Sequence, residues 1–245
     1  MLGVARGTTD RWTYYMSNHF GAAAFYAIEA TRRDMIGIAL THAEADVVPY
    51  GGRLPRLGTN PIAVALPTRD ASPLVLDMAT SVVSMGKVLV AAAEGRDIPG
   101  DWAVDEDGNP CTDPSLARAV RPMAGPKGYG LALVIDALSA LLGGASFGIH
   151  IRRMYDDFTA PQRISHLIIA LDPARFVSVD AFKSGMLEMI REVKDTPTVD
   201  GLEEVMAPGE IEARTERARR AEGIPLSDAL AAELESLGRQ YGARM

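Results

Sequence analysis

Cysteine is nearly absent from this 245-residue chain, and its single thiol, Cys111, excludes an internal disulfide and a thiolate metal cluster. A cytoplasmic protein is the expectation. Positive charge is also short: 25 Lys and Arg against 32 Asp and Glu leave a formal charge of −7, which disfavours a dedicated nucleic-acid binder. Long hydrophobic runs are missing as well. The longest apolar stretch, residues 130–145, is interrupted by Asp136 and rich in glycine, so it reads as a buried helix rather than a membrane span. Residues 1–20 mix Arg6, Asp10 and Arg11 with polar side chains where a secretory signal would carry an apolar segment. No membrane partner is expected. Two phosphate-binding signatures are lacking too. There is no G-x-G-x-x-G after a strand, and the glycine run around Lys127 continues with Gly128 where a P-loop needs Ser or Thr.

What is present is ordinary globular composition, 47% hydrophobic and 23% charged, enough for one large domain or two modest ones. Helical spacing predicts helices over residues 21–33, 82–95, 131–142, 178–193, 209–222 and 226–241. Short apolar runs predict strands over residues 35–41, 62–67, 73–79 and 166–172, the second and third joined by a tight turn and hence antiparallel neighbours. Residues 48–61 are too rich in glycine and proline for regular structure, and 105–110 read as a hairpin tip. The resulting expectation is an α/β fold with a mixed sheet and a helical C-terminal part.

Few residues stand out chemically. Lys127 is a cation flanked by glycines at a helix start, where backbone amides and the helix dipole favour an anion; an exposed lysine in a turn is the plain alternative. His19 precedes the first predicted helix, whose positive end favours the neutral imidazole that can take a proton from an alcohol; packing or capping is the plain alternative. Asp77, at a strand end, suits ribose hydroxyls or a cap. None of His42, His150 and His166 has a partner at metal-ligand spacing, so each reads as structural and no metal is expected.

Taken together, the runs SNHFGAAAFYA (17–27), VPYGG (48–52), GTNP (58–61), LDMATS (76–81), GKV (86–88), IPGDWAVDEDG (98–108), AGPKGYGLAL (124–133), MYDD (154–157) and PGE (208–210) resemble, in this order, the malate/L-lactate dehydrogenase family, which is distinct from the Rossmann-type dehydrogenases. Within it, DWAVD, AGPKGYGL and MYDD look most like the ureidoglycolate-oxidising branch.

The resemblance implies a homodimer with a largely antiparallel, non-Rossmann cofactor-binding sheet. It implies NAD or NADP as cofactor and a small 2-hydroxy acid of the ureidoglycolate, malate or L-lactate type, or the matching 2-oxo acid, as substrate. His19 matches the family's proton acceptor, while Asp77, Met78, Ala79, Lys127, Gly209 and Glu210 match its cofactor contacts. Arg53 and Arg56 are local candidates for a substrate carboxylate clamp. The implied organisation is a remnant of a substrate domain over 1–34, an NAD(P)-binding part over 35–176 and a helical part over 177–245. The sequence departs from the family twice. Ala43 stands where the ureidoglycolate branch has a serine, and the domain-sized segment of about a hundred residues that precedes the histidine in the family is expected to be lacking. The competing expectation is therefore a non-catalytic chain that binds cofactor or a partner without turnover.

Overall fold

A computed structural model describes the backbone of residues 3–5, 9–69, 72–154 and 157–243, and side chains from Ser17 onward. Tyr155 and Asp156, the centre of the MYDD run, lie outside the described residues, as do Asp70 and Ala71 of the turn before the third predicted strand. The chain divides into two units, Met1–Gly209 and Glu210–Met245.

The first unit is built on a six-stranded sheet. Its chain order runs β1 (Gly3–Ala5), β2 (Thr9–Ser17), α1 (Ala23–Thr31), β3 (Ile36–Thr41), β4 (Ile62–Leu66) and β5 (Leu74–Met78), then α2 (Met85–Ala93). Three two-residue strands follow, β6 (Ala103–Val104), β7 (Pro110–Cys111) and β8 (Ala119–Val120). The unit continues with α3 (Pro126–Asp136), a π-helical turn (Ala137–Leu141), β9 (Ile164–Leu171) and α4 (Val179–Lys194). The large sheet has the order β1-β2-β9-β3-β4-β5 and the small one β7-β6-β8, with each of these neighbours antiparallel. The fold is thus mixed α/β with antiparallel sheets, and β4 and β5 form the expected hairpin. The hairpin tip over 105–110 also holds, since Val104 pairs with Pro110.

Several elements differ from expectation, among them β1 and the short β8, for which no strand was expected, and the two described next. β2, which the sequence pattern did not suggest, pairs along β9 from Thr9↔Leu171 to Ser17↔Ile164, with an irregularity after Tyr14. The helix expected to start at Leu131 starts at Pro126, inside the glycine run. Proline at the first helical position is pre-set for helix, and Gly125 before it takes φ 59°. Gly128 belongs to the helix because a Cβ there would meet the Met123 carbonyl oxygen at 2.2 Å and that of Thr80 at 2.8 Å. The glycine marks close packing, not a loop.

α1 packs closely on the sheet. Ala23 and Ala27 on the helix face Ala39, Ala63 and Ala65 on β3 and β4, all buried. Small side chains on both surfaces bring the backbones together, and at Gly37 an added Cβ would sit 2.0 Å from the Ala27 carbonyl oxygen. Only glycine fits there.

The second unit holds α5 (Glu210–Glu222) and α6 (Asp228–Tyr241). Neither buries a residue, and α5 carries i,i+4 pairs from Arg214 to Glu210 and from Arg220 to Glu216. Ser227 Oγ caps α6 by accepting from Leu230 N, and Gly242 ends it with φ 70°.

Gly37→Ala is expected to cost about 3 kcal/mol, because helix and strand must separate to admit the methyl group. Gly185→Ala, in α4 with nothing within 4 Å of the added carbon, is expected to gain about 0.5–1 kcal/mol from helix propensity alone. Chemical denaturation of the two variants measures both.

Candidate functional site

The site begins at the N-terminus of α1. The residue in the capping position, Ala22, has no side chain to offer, and the cap comes instead from the sheet: Asp77 Oδ2, on β5, accepts from Ala24 N at 2.9 Å. A carboxylate at the positive helix end is also favoured by the dipole. Of the two sequence readings of Asp77, the cap is what this geometry uses, on the helix in front of it rather than on the turn that follows. Because His19 lies in the loop leading into that helix, helix start, histidine loop and Asp77 share one corner.

The loop is held on both sides of His19. Asn18 Oδ1 accepts from Gln162 N at 2.9 Å, and Tyr26 Oη donates to the Phe20 carbonyl at 3.0 Å. The Phe20 ring lies between Tyr26 and His166, stacked on both at centroid distances of 4.4 and 4.0 Å. His19 itself is exposed, and its Nδ1 accepts from Gly21 N at 3.2 Å. With Nδ1 accepting, the neutral ring carries its proton on Nε2 and presents a hydrogen-bond donor. Full proton exchange at Nε2 requires Nδ1 to hold a proton, so the ring must first leave the Gly21 amide.

From Asp77 the chain leads to the glycine segment. Beyond Met78 and Ala79, Thr80 is buried, donating from N and Oγ1 to the Thr59 carbonyl. Its own carbonyl accepts from Met123 N at 2.9 Å, Val82 N donates to the Arg121 carbonyl at 2.9 Å, and Ser81 bridges Pro122. This pairing joins the chain just after the Asp77–Met78–Ala79 strand end to residues 121–123, which lead into α3. Lys127, in the first turn of α3, is exposed, and among the described residues no carboxylate pairs with it. The amides expected to cradle an anion are already used: those of Lys127, Gly128 and Tyr129 donate to the carbonyls of Ala124, Met123 and Gly125. The ammonium of Lys127 is therefore left to meet an anion, while these backbone amides are not.

The remaining candidates separate. Gly209, at φ 83°, lies against β5, where a Cβ would be 2.8 Å from that of Val75, and Val75 N donates to the Pro208 carbonyl. Glu210 opens the second unit, paired with Arg214. Arg53 lines a cavity of about 580 Å³ with Tyr50, Arg121 and Gly125, whereas Arg56 donates to its neighbour, the Pro55 carbonyl. Arg121 has no motif around it, and only the fold brings it to Arg53.

Behind the corner is a buried polar layer that the sequence reading treated as scattered histidines. His166 Nδ1 lies 2.6 Å from Thr41 Oγ1, and His42 Nδ1 lies 3.2 Å from Ser139 Oγ on the π-helical turn. Asn60, fully buried, accepts from Ala43 N and donates to the Ala132 carbonyl, joining the end of β3 to α3. Burial pushes both His42 and His166 down to about 4, the nearby His42 adding to the effect on His166, and burial pushes Asp136 up to about 6 against the hydrogen bond from Asn60.

Comparison with known proteins follows the same outline. The sequence profile of malate/L-lactate dehydrogenase matches residues 12–235. The chain is 39% identical over 210 residues to the ureidoglycolate dehydrogenase (NAD(+)) of Escherichia coli, covering 86% of this chain and 60% of that protein. It is 38% identical over 231 residues to the malate/(S)-sulfolactate dehydrogenase of Methanothermus fervidus, covering 94% and 66%. The chain thus spans less than two thirds of the length of these relatives. Among solved structures it superposes on malate dehydrogenase from Entamoeba histolytica with TM-score 0.90 at 27% identity, over 97% of this chain and 70% of that one. Sulfolactate dehydrogenase from Methanocaldococcus jannaschii gives 0.84 at 37%, over 96% and 68%.

The buried layer makes stability pH-dependent. The two histidines, held neutral in the fold, contribute stability that is full above about 6.5 and is lost as pH falls toward 4. Asp136 acts oppositely: its contribution is full below the ordinary value of 3.8 and is lost as pH rises through about 6. Near pH 5 the net effect is a fall of about 1 kcal/mol per unit of acidification, and Asp136→Asn, which removes the opposing group, is expected to steepen it to about 2 kcal/mol. Urea denaturation at pH 4.5, 5.5 and 6.5 reads both slopes.

Proposed function

The chain belongs to the malate/L-lactate dehydrogenase family, and on that premise we propose that it serves hydride transfer between NAD or NADP and a small 2-hydroxy acid, or the 2-oxo acid matching it. The observation that carries this reading is the shared corner at the start of α1. There the loop of His19 and the carboxylate of Asp77 meet, and strand pairing of residues 80–82 with 121–123 joins that strand to the segment leading into Lys127.

The bound nicotinamide ring supplies the site that takes or gives the hydride. His19 handles the proton of the substrate oxygen: once Gly21 N is released, Nδ1 takes a proton from water, and Nε2 then gives its own to the forming alkoxide, leaving a neutral ring protonated on Nδ1. In the oxidation direction Nε2 of that ring takes the hydroxyl proton. Lys127 pairs with a cofactor phosphate. Met78 and Ala79 form the strand edge that would hold the cofactor, Asp77 fixes that edge to the helix, and Gly209 lies against the same strand at Val75. Arg53 answers the substrate carboxylate better than Arg56, because it faces a cavity. The cofactor-binding part over 35–176, a sheet without the Rossmann glycine signature, a homodimer and a cytoplasmic location complete the reading. In support of the second and last of these, the sheet pairs are antiparallel and no described helix is long and apolar enough to cross a membrane.

Two variants test it. His19→Ala is expected to lower the rate of oxaloacetate, pyruvate or oxalurate reduction by about 10²–10⁴-fold while leaving NADH affinity unchanged. An equal loss of affinity would count against the role. Lys127→Ala is expected to weaken NADH or NADPH binding by about 1.5–3 kcal/mol, read by nicotinamide fluorescence with the fold checked by circular dichroism. Unchanged affinity would leave Lys127 as a surface residue.

A further inference from the structure

His19 stands in a stretch, residues 18–21, that follows the end of β2 and precedes α1 without regular structure of its own. Side-chain contacts must therefore place it. One buried residue, His166, reaches this stretch on both sides of the histidine. Its ring stacks on that of Phe20 at a centroid distance of 4.0 Å, with 5° between the planes. The Asn18 backbone approaches the same ring closely enough to favour a proton on it, short of full hydrogen-bond geometry at Nε2.

His166 is itself fixed. β9 lies between β2 and β3, and His166 is in register with Tyr14 on one and Thr41 on the other. Ile168, two residues along and so on the same face of the strand, packs on the alanine cluster beneath α1. The imidazole therefore lies on the side of the sheet that carries the helix. Thr41 Oγ1, 2.6 Å from Nδ1, holds the edge of the ring. Burial, with the nearby His42 and His19 adding to it, keeps the ring uncharged, so that its face meets Phe20 as one flat π surface on another.

We propose that His166 is a positioning residue for His19: it holds Asn18 and Phe20, and through them sets where the His19 ring meets the substrate oxygen. The inference rests on the hydride-transfer reading above and adds to it a buried residue behind the reacting imidazole. Proton exchange needs the two heavy atoms at hydrogen-bond distance, and a misplacement of about 1 Å is enough to cost up to about a hundredfold in rate. Cofactor affinity draws on Lys127 and the strand end instead. Loosening the stack is therefore expected to slow turnover and leave cofactor binding alone, whereas a residue that only fills the core would lose stability without that split.

Three variants of the whole chain test this. Phe20→Leu and His166→Leu break the stack from either side, and His166→Phe keeps a flat ring in place. Phe20 is only partly buried, so its variant keeps the test open even if His166→Leu fails to fold by circular dichroism. Both leucine variants are expected to lower kcat for reduction of oxaloacetate, pyruvate or oxalurate about tenfold or more, with KM for NADH changed less than about twofold, and His166→Phe to recover part of the loss. Backbone order parameters from nitrogen-15 relaxation read the same placement without turnover. Residues 18–21 are expected at about 0.85 in the unaltered chain and below about 0.6 in the leucine variants, with α3 unchanged. A chain without turnover fails the dehydrogenase reading alone, because the order parameters still decide this one. Unchanged order at residues 18–21 in the leucine variants would overturn the proposal, as would unchanged kcat or a loss of NADH affinity equal to the loss of kcat.

Discussion

The close approach of α1 to the sheet is the constraint on which the rest depends. Alanine on the helix and on β3 and β4, with Gly37 where the Ala27 carbonyl comes nearest, lets the two backbones touch. That depth sets the helix start level with the end of β5, so that Asp77 can reach the Ala24 amide. Everything assigned to the site inherits this placement. Larger side chains at the interface would lift the helix, and the His19 loop with it, away from the strand end.

A second layer of fixation lies below. The Phe20 ring, between Tyr26 and His166, connects the His19 loop to β9, and His166 in turn meets Thr41 of β3. The exposed imidazole thus stands on a rigid base, with freedom left mainly in its own ring torsions. This is the division of labour that chemistry at a loop requires: a fixed scaffold and one movable group. The π-helical turn after α3 belongs to the same base, since Ser139 is turned inward to both the Ile135 carbonyl and His42.

How much of this was legible in the sequence depends on the range of the interactions. The β4–β5 hairpin and the tip at 105–110 are local and could be read from turn residues beside apolar runs. β2 could not, because its partner β9 is about 150 residues away and its mixed composition shows no clear period. The glycines after Gly125 were misread because glycine signals a loop in isolation, while Gly128 is needed for contact with Met123 and Thr80, one of them distant in sequence. His19, Asp77 and Lys127 were found as motif members. The corner shared by His19 and Asp77, and the place of Arg53 and Arg121 in one cavity wall, are properties of the folded chain alone.

The pairing of Val75 with Pro208 has a bearing on self-association. β5 is the last strand of its sheet, and an open strand edge is a template on which another chain can add a strand. The Pro208 carbonyl takes the Val75 amide, and Gly209 lies flat against the same residue. Proline has no amide hydrogen to pass the ladder on, so pairing halts where it would otherwise propagate. Gly209, which resembles a cofactor contact, therefore sits beside a proline that hems the β5 edge at Val75 and blocks strand addition at that point.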